Sequence, residues 1–153
     1  MSWLQLLVLV HVLSAIIGIG PTYFGHVLMR RNQTVAEYRS ALQITKYLDF
    51  FPKIGGSIAV LSGLWLFFAG SYGTFTQLWL LGSLILFVLI QIIVLGFITP
   101  AMGKLRQWLL IPANERLQRF PAEQQHTVNR INNLFYAAST LGVILFIFMI
   151  MKP

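Results

Sequence analysis

A chain of 153 residues that is 57% hydrophobic and only 10% charged is not an ordinary soluble domain, in which about 25% of residues are charged. Its formal charge of +7 does not make a nucleic-acid surface, because ten of its eleven basic residues fall in two windows, 30–53 and 104–130, as in the positive loops that flank membrane spans. The lack of cysteine excludes disulfides, thiolate metal sites, iron–sulfur clusters and covalently attached haem.

The first apolar segment runs from about Trp3 to Met29 and contains no Lys, Arg, Asp or Glu. That is long enough to cross the hydrocarbon core, and in lipid the backbone can satisfy itself only as a helix or a closed barrel. The hydrophobicity lies all round rather than alternating, which selects the helix. The segment has neither a basic n-region nor a small-residue cleavage site, so it is expected to stay in the mature protein. His11 stands inside it, about 12 Å along the axis from Trp3. Ser14, Ala15 and Gly18 follow at helical spacing, and Thr22 and Gly25 extend the same stripe. His11 therefore looks along a groove of small side chains, which admits either a flat macrocycle or another helix.

Residues 30–53 are basic, and within them Val35, Tyr38, Leu42 and Tyr47 or Leu48 recur at helical spacing. They predict a short amphipathic helix at the membrane surface. Pro52 suits the first turn of a second spanning helix, about 54–70. In that helix Gly55, Ala59 and Gly63 repeat every four residues as a small-residue packing face, serving the chain itself or a homodimer. The short uncharged loop 71–77 predicts a hairpin between the second helix and a third, about 78–99. Pro100 is expected to end or kink the third helix. Residues 103–125 mix Leu105, Trp108, Leu109, Leu110 and Leu117 with basic side chains, as an interfacial helix on anionic lipid or a solvated loop with an aromatic anchor would. A fourth span, about 131–151, carries Ala137, Ala138 and Gly142 as a second small-residue face.

The expected fold is all-α: one four-helix transmembrane bundle with short amphipathic helices in its charged loops. The positive-inside rule puts both loops in the cytoplasm and both termini outside a bacterial inner membrane. Lipid is the surrounding partner and nucleic acid is not one.

An ionisable residue inside a span is a functional hypothesis by default. Three readings of His11 compete. It is an axial ligand of haem b, with Ser14, Ala15 and Gly18 giving room. It is a proton relay or copper contact in a small transporter. Or it is structural, bonded to a neighbouring helix at Gln91 or Ser139. His26 lies about 22 Å further along the helix, too far to share one iron with His11. Beside Arg30 and Arg31 it suits a structural or interfacial role. Arg30, Arg31, Lys53 and Lys104 are candidate partners for haem propionates. A further iron ligand would come from His26 at another site, a Tyr, a Met such as Met102, a Lys, or a second subunit. His126 reads as solvated. No carboxylate lies in a span, so a His-carboxylate metal site cannot form in the membrane. A transporter would line a path with more polar groups than Gln91, Ser139, Thr140 and a few hydroxyls.

The stretches LQLLVLVHVLSAIIGIGPTYFGHVLMRR, ALQITKYLDFFPKIGGSIAVLSGLWL, LWLLGSLILFVL and ITPAMGKL resemble a family of small bacterial integral membrane proteins of unknown function, over nearly the whole chain. That resemblance implies four helices and no activity. More distantly, the order of an early histidine in helix one, a basic helix end, a Pro-led helix two with glycine and a Trp-Leu opening to helix three is similar to two families. These are the HemJ-type protoporphyrinogen oxidases and the copper-resistance D proteins. The HemJ likeness implies a haem-linked role for His11. HemJ-type proteins also carry a functional lysine at the start of helix three, where this chain has Gly82 and Ser83. The likeness thus reaches haem or porphyrin binding and stops short of the oxidase activity.

Overall fold

The structure is a computed structural model that describes residues 2–70 and 72–153. Ser71, in the expected loop 71–77, lies outside them. The described residues form helices α1 (Trp3–Leu28), α2 (Val35–Leu48), α3 (Phe50–Ala69), α4 (Leu78–Gln91), α5 (Thr99–Leu109) and α6 (Ala122–Met151). A π-helical stretch, Ile92–Ile98, joins α4 to α5, and a 3-10 turn, Pro112–Arg116, follows α5. Four helical stretches are long and apolar enough to cross a membrane. Their outer faces carry exposed Leu13, Phe24, Phe68, Ile85 and Ile147, as a lipid-facing surface requires.

α1 opens with a capping box. The Ser2 hydroxyl accepts from the Gln5 amide, and the Gln5 side chain accepts from the Ser2 amide. The helix runs unbroken through Pro21. It crosses α3 at the small-residue face: a Cβ on Gly18 would lie 2.6 Å from the Gly56 nitrogen, and one on Gly55 would lie 2.6 Å from the Gly18 Cα. Such contact between backbones needs glycine on both sides. The other side of α1 meets α6, where Phe135 lies over Gly25 and the Ser139 hydroxyl donates to the Thr22 carbonyl at 3.1 Å. α6 in turn packs on α4, with Phe148 over Gly82.

Around the bundle the order is therefore α3, α1, α6, α4. The second and third spans follow one another in the chain, but they do not pack closely side by side. α3 spends its small-residue face on α1, and α4 packs on α6, so a gap is left between α3 and α4. The side chains of Phe87 and Gln91 reach across that gap towards Gly56.

Pro100 does not end its helix. The helical path continues from Leu78 to Leu109. In an α-helix the Pro100 ring would press on the carbonyl four residues back and leave it without a donor. The wider π turn directly before it accommodates this, and Thr99 closes it by donating its hydroxyl to the Val94 carbonyl at 2.9 Å.

The largest apolar cluster lies at the charged end of the bundle, in a cap of α2, α5 and the start of α6. It gathers Met29, Val35, Tyr38, Leu42, Met102 and Leu105 with their neighbours. The amphipathic face expected of α2 is real: Val35, Tyr38 and Leu42 are buried and Tyr47 is exposed. Leu105, Trp108 and Leu109 turn inward onto this cluster, and Trp108 packs beside Phe120. Thr34 and Glu37 cap α2 reciprocally, and the Thr34 amide holds the Glu37 carboxyl below its ordinary pKa. The Tyr38 ring meets Phe120 edge-on, while its buried hydroxyl has no partner among the described residues, and burial pushes its pKa up. Tyr38→Phe removes that stranded donor and keeps the ring. It is expected to raise unfolding stability by about 1 kcal/mol, measured by denaturant titration in detergent.

Candidate functional site

His11 stands half-buried where α1 faces Ala59, Ser62 and Gly63 of α3. Its Nδ1 lies 2.8 Å from the Ala59 carbonyl and 3.3 Å from the Ser62 hydroxyl. A carbonyl only accepts, so Nδ1 carries the proton and Nε2 keeps a bare lone pair. The ring fits against α3 because position 63 has no side chain: a Cβ there would sit 2.8 Å from the ring's Cε1. The Ser62 hydroxyl donates to the Ile58 carbonyl at 2.6 Å, which fixes the floor beneath the imidazole.

His11 lines a cavity of about 380 Å³ in the half of the bundle nearer the termini. Its walls are almost wholly apolar and come from α1, α3, α4 and α6. Ala15, Ser83, Phe87 and Met149 share the lining, and Lys152 stands at its edge. The Lys152 ammonium is held over the rings of Tyr72 and Trp79, at 5.4 and 5.2 Å.

Of the stripe expected to give room beside His11, Ala15 faces the cavity. Ser14 and Gly18 are buried, Gly18 under the α3 backbone and Ser14 with its carbonyl facing Gly55. Neither Gln91 nor Ser139 bonds to His11. Ser139 bonds instead to the Thr22 and Phe135 carbonyls. His26 is at the other end of α1, stacked on Tyr136 at 4.4 Å. Its Nδ1 is buried without a partner among the described residues. Arg30 is exposed near it, and Arg31 bonds to Asn132 and Asn133 of α6. The structure thus joins His11 to Ala15 and leaves His26 and Arg30 elsewhere. Met102 lies in the cap core. Lys152 was not singled out from the sequence, although it is the one basic residue outside the two charged windows.

A second cavity, about 600 Å³, occupies the α3–α4 gap towards the charged end. It shares Ile19, Gly56, Val60 and Phe87 with the first, so these residues form the wall between the two. Asp49, Lys53, Gln91 and Thr99 are among its polar lining. Burial raises the Asp49 carboxyl above its usual pKa, against the opposing charges of Lys53 and Arg106. Among the described residues no cluster of three or more His, Cys, Asp or Glu is placed to hold a metal ion.

Residues 5–153 match the family described as a predicted integral membrane protein, DUF2269. The chain belongs to that family. For this DUF2269 chain, neither the curated proteins nor the solved structures yielded a match. The family match carries the multi-pass membrane architecture and no activity, and none of the comparisons brought up the HemJ-type or copper-resistance D families.

Proposed function

We propose that this protein binds a b-type haem in the cavity beside His11, with His11 Nε2 as axial ligand to the iron. The observation that carries the reading is the orientation of the imidazole. A ligating histidine donates its other ring N–H to a carbonyl or carboxylate, which sets the tautomer and makes the free nitrogen more basic. His11 is held in that way by Ala59, and its bare nitrogen belongs to a side chain lining an apolar cavity. Lys152 at the cavity edge supplies a charge for a propionate, and does so in place of Arg30, at the far end of α1. Met149, Tyr72 and Lys152 are the other lining residues of a type that can complete an iron's coordination. Bound haem would supply one-electron redox chemistry or a site for a small gas. The chain's own part is to hold one nitrogen lone pair and exclude water. In the same reading the charged cap faces the bacterial cytoplasm and both termini lie outside; the small-residue faces expected to serve a homodimer are instead occupied within the chain, Gly55 of α3 and Gly142 of α6 both lying against α1. The largely apolar lining of the His11 cavity counts against a transport path or a copper site there.

The test is the absorption spectrum of protein purified in mild detergent after expression with ample haem. Wild type is expected to show a Soret band, and His11→Ala to lose most of it while eluting as the same folded species. A colourless wild type under full haem supply overturns the reading. Reduced and carbon monoxide-treated spectra then report whether one side of the iron is open.

A further inference from the structure

The second cavity has features that the haem reading does not use. Gln91 sits about 20 Å along α4 from Leu78, well inside a span, and its amide has no hydrogen-bond partner among the described residues. Leaving a primary amide unpaired in an apolar setting is costly. The rare π-helical stretch begins directly after it, and Val94 and Leu95 of that stretch line the same cavity. Stretches of this kind recur at ligand sites because they re-aim side chains at the expense of regular backbone bonding. At the rim stand one acid and one base, Asp49 and Lys53. They make no ion pair with each other; among the described residues the one ion pair is Arg39–Glu115. Thr22, Ser57 and Thr99 add hydroxyl-bearing side chains to the lining, and the rest of the wall is apolar, with Leu61, Phe87, Ile90 and Leu95 among it. A volume of this order suits a small organic ligand.

We infer that this cavity binds a membrane quinone, its ring carbonyls accepting from Gln91 and Lys53 and its prenyl tail leaving between α3 and α4 into the lipid. The charge at the rim selects this occupant. Asp49 disfavours a fatty-acid carboxylate or a phospholipid phosphate, and the single lysine does not make an anion site. A neutral ring with acceptors on opposite edges uses the amide and the ammonium together. Asp49 is then the group that accepts from the hydroxyl of the reduced form. The inference does not rest on haem.

The experiment is photolabelling of the wild-type protein in phospholipid nanodiscs with an azido analogue of a short-chain ubiquinone, mapped by mass spectrometry. Labelling is expected to be saturable, to fall within residues 49–61 and 87–99, and to be displaced by decylubiquinone. Gln91→Leu keeps the size and removes the hydrogen bond, which suits a membrane helix, so the variant should fold. It is expected to raise the concentration for half-labelling about ten-fold, the effect of one lost buried hydrogen bond. Val88→Leu, on the exposed side of α4, is expected to leave it unchanged. Unsaturable labelling over lipid-facing surfaces, labelling confined to the His11 cavity, equal displacement by phosphatidylglycerol, or an unaffected Gln91→Leu each overturns the proposal. A colourless protein that still labels at this cavity sinks the haem reading and leaves the quinone site standing.

Discussion

Gly18→Leu is expected to disrupt the bundle more than any other single substitution considered. The added Cβ alone would lie 2.6 Å from one backbone atom of α3 and 2.7 Å from another. Backbone cannot rotate aside as a flexible side chain can, so α1 and α3 must separate. Overpacking typically costs about 1–3 kcal/mol, and with backbone on both sides the upper end applies. The separation also pulls His11 away from Ala59, whose bond to it lies about two turns further along the same interface. Unfolding by denaturant in detergent, followed by tryptophan fluorescence, should show a loss of about 3 kcal/mol or failure to fold. Gly20→Leu is the control: a Cβ there meets nothing within 4 Å. If both variants lose the same stability, the close crossing is not what holds the pair.

Asn132→Leu should rank second. This side chain of α6 is 4% exposed and has three partners. Its Nδ2 donates to the His26 and Met29 carbonyls at 2.9 and 3.2 Å, and its Oδ1 accepts from Arg31 Nε at 3.2 Å. The last carbonyls of a helix have no partners within it. α1 settles its own with Asn132 from α6 and with Gln33, which donates to the Leu28 and Arg30 carbonyls. Leucine fills the volume but strands two carbonyls, at roughly 1–3 kcal/mol for each buried group left unpaired, while the exposed Arg31 keeps its bond to Asn133. The expected loss is about 2 kcal/mol, read from the same unfolding curves. Asn133→Leu, with its single exposed bond to Arg31, is expected to lose much less. Equal losses at the two positions would mean that the joint is not held by the carbonyl bonds.

Why the sequence reveals the spans and conceals their neighbours follows from these residues. Four long apolar runs show themselves by length and by the absence of charge. The α2 face is legible because Val35, Tyr38 and Leu42 repeat at helical spacing. The glycines of α3 are legible as a packing face, but glycine does not name its partner, and the choice between a helix of the same chain and a second copy stays open until α1 is seen against them. Pro100 gives a local rule, end or kink, and the π turn directly before it lets the helical path continue without ending there. The second and fourth spans begin earlier than the apolar runs do, at Phe50 and Ala122; the early turns of α6 belong to the cap, where Val128 is buried. His11 stood out as an imidazole in an apolar run. Its partner did not, because the group that fixes it is a backbone carbonyl, which every residue carries. Lys152 was hidden by its place near the chain end, where a lone cation reads as solvated until Tyr72 and Trp79 are seen beneath it.

The close pairing of α1 with α3, ahead of its contact with α6, bears on how such a chain is made. When about seventy residues have entered the bilayer, both partners of the glycine crossing are already present. His11 then has its carbonyl acceptor without needing α4 or α6. Only the carbonyl end of α1 must wait for the last helix. The polar points of α1 are thus divided between an early partner and a late one, α3 for the imidazole and α6 for the carbonyls.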